Sequence, residues 1–200
     1  MIKSGIFTLL LGLSICLMGC GDTKHASGSY HRLLILAIDR SGSTEAARAQ
    51  ILASINDFAG DLDGDTRLIL LRFGRSVEEV YDGIPDDEDS FALLLAKTLK
   101  QSDPQKGTDY PKLLQSLANY AKQAKESQID CLVAGDGGND FEDAPHRRLY
   151  RDSAIQLASN PHVEAIKFWG VEVGAREELR LVFKGHDSKL KLSGIDEPLL

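Results

Sequence analysis

The chain has 200 residues, of which 42% are hydrophobic, and this is enough apolar material for one well-filled core. Its formal net charge is -7 and its basic residues are scattered, so the composition argues against a nucleic-acid-binding surface. We therefore expect one acidic globular domain with no nucleic-acid partner.

The amino terminus has the pattern of an export signal. Lys3 precedes a largely apolar stretch at residues 6–17, which ends in the tetrapeptide Leu-Met-Gly-Cys at residues 17–20. This ending resembles the lipobox of bacterial lipoproteins. The resemblance implies that residues 1–19 are a cleaved signal peptide and that Cys20 carries lipid, including palmitate.

An uncleaved membrane anchor is the alternative, because no charge lies between Lys3 and Asp22. The lipoprotein interpretation places the protein in the cell envelope, attached to a membrane through its lipid. Because Gly21, and not an acid, follows Cys20, the outer membrane is favoured if the cell is Gram-negative.

The remaining chain divides by composition. Residues 20–30 comprise the lipidated Cys20 and a small, polar, flexible tether, residues 31–195 form the domain, and residues 196–200 form a tail. Cys131 lies in an apolar segment, so we expect a small buried side chain and not a nucleophile.

Strand and helix patterns alternate along the domain. Buried strands are predicted at residues 31–38, 67–74, 129–134 and within 163–173, an edge hairpin strand at 76–82, and a short last strand at 188–192. Helices are predicted from an N-cap at Ser43 or Thr44 to about residue 59, from about 86, from Pro111, at 145–159 and at 176–183. The alternation predicts a doubly wound α/β fold, with a mostly parallel sheet, helices on both faces and one short antiparallel edge strand.

Hard oxygen side chains cluster where predicted strands end or helices begin. Asp39, Ser41 and Ser43 alternate directly after the first strand, Thr108 opens a later helix, and Asp136 follows the strand at 129–134. Open α/β sheets bind ligands beyond the carboxyl ends of their strands. Hydroxyl and carboxylate oxygens suit a small hard cation.

Taken together, these segments resemble the von Willebrand factor type A domain and its metal-ion-dependent adhesion site. The resemblance covers residues 31–185 and implies a Rossmann-like sheet. It also implies that the Ser41 and Ser43 hydroxyls bind Mg²⁺ or Mn²⁺, and that Thr108 is a ligand whose engagement changes with state. Asp39 and Asp136 would act mainly through waters or hydrogen bonds.

The sequence departs from the family pattern at one position. Many relatives have Thr before the Asp-Gly pair, whereas this chain has Gly135, which removes no ligand but leaves the local hydrogen bonding open. Asn139 and Asp140 lie on the same loop, either supporting the rim of the site or exposed to solvent.

Two functions are compatible with these residues. The first is a membrane-anchored binding module that recognises a protein partner through the cation, whose coordination a partner Asp or Glu completes. The second is a Mg²⁺-dependent α/β phosphatase or other hydrolase that uses the same carboxylate loop. No sequence pattern places a general base beside a nucleophile, which favours binding over catalysis.

Overall fold

The computed structural model describes residues 30–59, 62, 64–85, 88–100, 107–141 and 143–199. The predicted signal peptide, Cys20 and the tether up to residue 29 lie outside the described residues. The strands are β1 (Arg32–Asp39), β2 (Thr66–Phe73), β3 (Val77–Gly83), β4 (Gln128–Ala134), β5 (Val163–Trp169) and β6 (Leu190–Ser193). The helices are α1 (Arg48–Ala59), α2 (Glu88–Lys100), α3 (Tyr110–Gln123), α4 (Ala144–Ala158) and α5 (Val173–Val182).

The strands form one sheet in the order β3-β2-β1-β4-β5-β6. β1 pairs in parallel with β2 and β4, β4 pairs in parallel with β5, and β5 with β6. β3 runs antiparallel to β2 at the edge of the sheet. This confirms the predicted fold class. Because β1 lies between β2 and β4 and is parallel to both, the carboxyl ends of these three strands lie side by side at one end of the sheet.

β1 is buried on both faces, since all its residues after Arg32 are buried. One set of its side chains packs with α3, α4 and α5 in a first core, through Leu33, Ile35 and Ala37. The alternate set packs with α1 and α2 in a second core, through Leu34, Leu36 and Ile38. Each fully buried Leu or Ile side chain contributes about 1.5–3 kcal/mol to stability. Because β1 supplies such side chains to both cores, it is central to each of them. Cys131 lies in the first core, 1% exposed, as predicted.

α1 begins later than the sequence predicts. A 3-10 turn at Glu45–Ala47 precedes it, and Thr44 occupies the N-cap position without a capping bond from its side chain. The Thr44 hydroxyl instead donates to the carbonyl oxygen of Ser41 at 3.0 Å. The expected N-cap therefore closes the loop after β1 and does not cap the helix.

The segment after β6 packs against the sheet. The indole nitrogen of Trp169 donates to the carbonyl of Glu197 at 2.9 Å, and Leu199 is only 8% exposed. These contacts extend the packed part of the chain through residue 199. In the described part of the chain, no helix combines the length and apolar character needed to cross a membrane.

Candidate functional site

The candidate site lies where β1 and β4 end side by side. Asp39 is the last residue of β1, and its neighbour Ile38 pairs with Ala134 at the end of β4. A Cβ atom built on Gly135 would lie 2.8 Å from the Cβ of Asp39, so the two loops are in direct contact. Asp136 follows at once. The parallel pairing thus brings two of the predicted residues to one place.

The loop after β1 presents its hydroxyl groups together. The amide of Ser41 donates to Asp39 Oδ1 at 2.7 Å, a turn that fixes the carboxylate beside its own loop. The hydroxyl oxygens of Ser41 and Ser43 lie 2.9 Å apart. Ser41 is 6% exposed, whereas Ser43 is exposed to solvent. The alternate spacing in the sequence therefore produces a pair of adjacent oxygen donors at the surface.

Arg48, in the first turn of α1, hydrogen-bonds to the backbone of the same loop. Its guanidinium donates to the carbonyls of Arg40 at 3.1 Å and Ser41 at 3.3 Å. These bonds use backbone carbonyls of the loop and not the serine hydroxyls. Sequence reasoning missed Arg48, because nothing in the local pattern distinguishes it from other basic residues on a helix.

Asp39 is the most unusual group in the site. It is 0% exposed, and its Oδ2 atom has no hydrogen-bond partner among the described residues. Burial is the main reason that the pKa of Asp39 is raised to about 7. The charge of Asp136 acts in the same direction, while the hydrogen bonds from Ser41 and the charge of Arg48 lower the pKa. A buried carboxylate oxygen without a partner is costly.

The loop that carries Thr108 is tied to the end of β2. The amide of Asp109 donates to the carbonyl of Gly74 at 2.9 Å, and the amide of Arg40 donates to the preceding carbonyl, that of Phe73, at 2.8 Å. The last residue of β2 thus anchors the Asp39 loop, and the residue directly after it anchors the Thr108 loop. This places Thr108, which is 2% exposed, at the same end of the sheet as Asp39.

Asp140 connects the Thr108 loop to the loop after β4. Its Oδ2 accepts the amide of Thr108 at 2.7 Å, and its own amide donates to the carbonyl of Thr108 at 3.1 Å. Of the two rim interpretations, the structure supports the one in which Asp140 positions a site loop. Asp136, on the same loop, turns back to accept the amide of Gly138 at 2.8 Å.

Tyr110 supplies the physical reason for Gly135. It is fully buried at the start of α3, and its hydroxyl accepts the amide of Gly137 at 3.0 Å. A Cβ atom on Gly135 would lie 2.9 Å from this hydroxyl oxygen and 3.1 Å from Asp39 Oδ2. The phenol therefore occupies the space next to the strand end that a larger residue at position 135 would need. Sequence reasoning missed Tyr110, because the contact joins residues far apart in the chain.

The donor set can be compared with the needs of a hard cation. The described residues contain no group of three or more His, Cys, Asp and Glu side chains placed to hold a metal ion. A site here must therefore depend on hydroxyl groups, as the paired Ser41 and Ser43 would provide. The unpartnered Oδ2 of buried Asp39 fits the same interpretation, since a nearby cation would compensate its charge.

Comparison with known proteins supports the fold. No family model matches the sequence, and no curated protein sequence matches it. Solved structures do match. A von Willebrand factor type A protein from Catenulispora acidiphila aligns with a TM-score of 0.64 at 15% identity, over 84% of this chain and 39% of that one.

Two further structures agree with this likeness. The PilB minor pilin from Streptococcus sanguinis aligns with a TM-score of 0.61 at 12% identity, over 86% of this chain and 59% of the pilin. The conserved hypothetical protein BatB from Bacteroides thetaiotaomicron aligns with a TM-score of 0.53 at 14% identity, over 80% of this chain and 89% of BatB. This chain thus spans less than two thirds of the first two proteins. It has a von Willebrand factor type A-like fold.

Proposed function

We propose that this protein is a membrane-anchored binding module that recognises a protein partner through a bound divalent cation. The observation that carries the proposal is the buried Asp39, whose Oδ2 has no hydrogen-bond partner in the described structure. It lies in the same loop as two hydroxyl oxygens 2.9 Å apart. The arrangement has the chemistry of an incomplete cation site.

Each predicted residue has a role in this proposal. Ser41 and Ser43 would hold Mg²⁺ or Mn²⁺ through their hydroxyls, with Thr108 as a further ligand. Asp39 and Asp136 would balance the charge through waters or hydrogen bonds. Mg²⁺ prefers about six oxygen ligands and retains several waters, which suits a site built from few side chains.

A protein partner would complete the site with an Asp or Glu side chain. When bound, the cation supplies a Lewis-acidic position with an exchangeable ligand. Ser43 is exposed, so an incoming carboxylate has access to this side of the loop. Since Asp39 and Asp136 would not be direct ligands in this proposal, the site would keep a positive character that favours an acidic group.

In the described structure, no histidine hydrogen-bonds to the hydroxyl groups of this loop. The Ser41 hydroxyl lies 2.9 Å from the Ser43 hydroxyl and is also hydrogen-bonded to Asp39. His146, on α4, makes its hydrogen bond to Asp143 at 2.8 Å. An activated serine typically needs a histidine beside it, so these contacts favour a binding module over a serine hydrolase.

The proposed anchor is the lipid on Cys20, with the domain held close to the membrane of the cell envelope by the short tether. Replacing Cys20 with Ser should abolish incorporation of labelled palmitate and release the protein from the membrane fraction. Retention of an uncleaved Cys20→Ser chain in the membrane would instead support a transmembrane leader.

Calorimetry tests the cation site directly. We expect Mg²⁺ or Mn²⁺ to bind with 1:1 stoichiometry, and Ser41→Ala and Asp136→Ala to abolish binding. Ser127→Ala is a matched control, since this serine donates to the His31 carbonyl at the other end of the sheet. Equal cation affinity in all three variants would remove the proposed site.

The partner can be sought by pull-down from the native envelope, with and without EDTA. A partner that is retained only without EDTA, and lost with Ser41→Ala, would support the proposal. A cation-dependent phosphatase activity that disappears in Asp39→Ala would instead favour the hydrolase alternative.

A further inference from the structure

A separate cavity lies on the face of the sheet that carries α1 and α2. It has a volume of about 290 Å³, and Arg32, Asp130, Ala165, Lys167 and Lys191 contribute to its lining. This volume is near the lower limit of small-molecule pockets, roughly 300 Å³. Arg32 begins β1 and Asp39 ends it, so the cavity lies toward the opposite end of the strand from the proposed cation site.

The floor of the cavity is apolar. Leu34 and Leu132 line it and belong to the second core, and Ala165 continues the same surface on β5. Their spacing follows the sheet, because Leu132 pairs with Lys167 and Asp130 pairs with Ala165. An occupant would therefore rest on aliphatic side chains and have lysines at one border.

The two lysines are adjacent and bear the same charge. Lys167 and Lys191 pair directly across β5 and β6, an arrangement that is destabilising for like charges. Burial lowers the pKa of Lys167, and the charge of Lys191 lowers it further, against a smaller opposing effect of Glu197. Glu197 itself pairs with Arg176 at 3.0 Å. An anion between the lysines would relieve this repulsion.

The third basic side chain that lines the cavity, that of Arg32, already has an acidic partner. Arg32 contacts the Asp130 carboxylate through two nitrogens, at 2.9 Å and 2.8 Å. The excess positive charge therefore comes from Lys167 and Lys191, in a chain whose formal net charge is -7. Two positive charges beside an apolar floor match a group with two negative charges that carries an apolar substituent.

We propose that this cavity binds a phosphate ester with a short apolar chain. The phosphate lies between Lys167 and Lys191, and the chain rests on Leu34, Leu132 and Ala165. This site is independent of the proposed cation site, since it uses other residues on another part of the sheet. It gives the protein a second ligand of a different chemical class.

Trp169 provides a local signal for this binding. It is the single tryptophan of the chain, and its indole donates to the carbonyl of Glu197 at 2.9 Å. Lys167 donates to the carbonyl of the next residue, Pro198, at 3.2 Å. A ligand that draws Lys167 toward the cavity changes this contact and thus the surroundings of the indole.

The test is a titration of the full-length protein, held in a non-ionic detergent, with butyl phosphate, inorganic phosphate and 1-butanol. Tryptophan fluorescence and calorimetry should show saturable 1:1 binding of butyl phosphate. Inorganic phosphate and 1-butanol should each bind at least tenfold more weakly, because each lacks half of the recognised chemistry. Absence of butyl phosphate binding, or equal affinity for all three probes, would overturn the proposal.

Lysine variants localise the binding. Lys191→Gln and Lys167→Gln should each weaken binding of butyl phosphate about tenfold, since each removes a charge-assisted contact. Lys184→Gln is the control, an exposed lysine just after α5 on the other face of the sheet, and should bind like the wild type. Lys191 is exposed, so its variant should fold normally even if Lys167→Gln does not. Equal weakening in Lys191→Gln and Lys184→Gln would exclude the cavity.

A final comparison identifies the source of the ligand chemistry. The butyl phosphate titration is repeated in nanodiscs of phosphatidylcholine with and without phosphatidic acid, whose headgroup is a phosphate monoester. Competition by phosphatidic acid supports the site with a lipid headgroup as its ligand, whereas unchanged affinity supports it with a soluble phosphate ester.

Discussion

Replacing Gly135 with Ala should strain the centre of the candidate site. The added Cβ would lie 2.8 Å from the Cβ of Asp39 and 2.9 Å from the Tyr110 hydroxyl, both closer than side chains normally approach. Asp39 and Tyr110 are each 0% exposed, so neither can move into solvent. Overpacking of this kind costs about 1–3 kcal/mol. For a domain of this size, that cost lowers the melting temperature by roughly 2–4 °C per kcal/mol.

A double-mutant cycle separates the two contacts. Tyr110→Phe removes the hydroxyl oxygen that the new methyl would meet, although the clash with Asp39 remains. We therefore expect Gly135→Ala to cost about 1 kcal/mol less in the Tyr110→Phe background than in the wild type. The measurement is urea unfolding followed by circular dichroism, with EDTA present so that cation binding does not contribute.

Gly174→Ala is the matched control for this cycle. Gly174 lies in the first turn of α5, and a Cβ there would meet no atom within 4 Å. Alanine in that position should be neutral or stabilise the protein by up to about 1 kcal/mol. If Gly135→Ala were as harmless as Gly174→Ala, or if its cost were unchanged by Tyr110→Phe, the proposed packing of Tyr110 against Gly135 would be wrong.

Three further predictions concern the charge, the loops and the core. In EDTA, the free energy of unfolding should fall by up to about 4 kcal/mol as the pH rises from 4 through about 7, because the pKa of Asp39 is raised from 3.8 to about 7 in the folded state. Asp39→Asn should remove most of this fall, as measured in thermal melts. Asp140→Ala should weaken Mg²⁺ binding several-fold in calorimetry by freeing the Thr108 loop, whereas Asp187→Ala, in an exposed turn, should not. Leu36→Ala, at a fully buried position, should cost about 2–5 kcal/mol in urea unfolding, whereas Leu93→Ala, at a residue 72% exposed, should cost little.

Each of these predictions has a result that contradicts it. A pH dependence that persists unchanged in Asp39→Asn would mean that another group titrates. Equal Mg²⁺ affinities for Asp140→Ala and the wild type would show that the Thr108 loop is held by other contacts. A small cost for Leu36→Ala would contradict the central position of β1.

The sequence predicted the sheet well because its strands are buried on both faces. The run from Leu33 to Ile38 is continuously apolar, a pattern typical of a central parallel strand, and β1 does occupy that place. The mixed polarity of residues 76–82 predicted an edge strand, and β3 is that strand. Both signals are local, so they can be read without knowledge of tertiary contacts.

The contacts that shape the site could not be predicted in this way. Asp140 and Thr108 are 32 residues apart in the chain, and nothing in either segment indicates that they hydrogen-bond. The Gly135 departure from the family pattern was visible, but its reason lies in Tyr110, which approaches only after α3 has packed. Thr44 has the residue type of a helix cap, but its hydroxyl donates to the carbonyl of Ser41, a local contact that the residue type alone does not predict. For Asp140 and Gly135, a tertiary contact decided between local alternatives.

The central strand also carries a risk before the protein has folded. β1 needs partners on both edges, yet β4 is made much later in the chain than β2, so one edge of an apolar strand stays open for longer. Short segments of high β propensity and low charge are the usual starting points of aggregation. Arg32 at one end of β1 and the Asp39-Arg40 pair at the other place charges on both flanks. Charged residues that flank an apolar segment in this way oppose its self-association before the strand has paired.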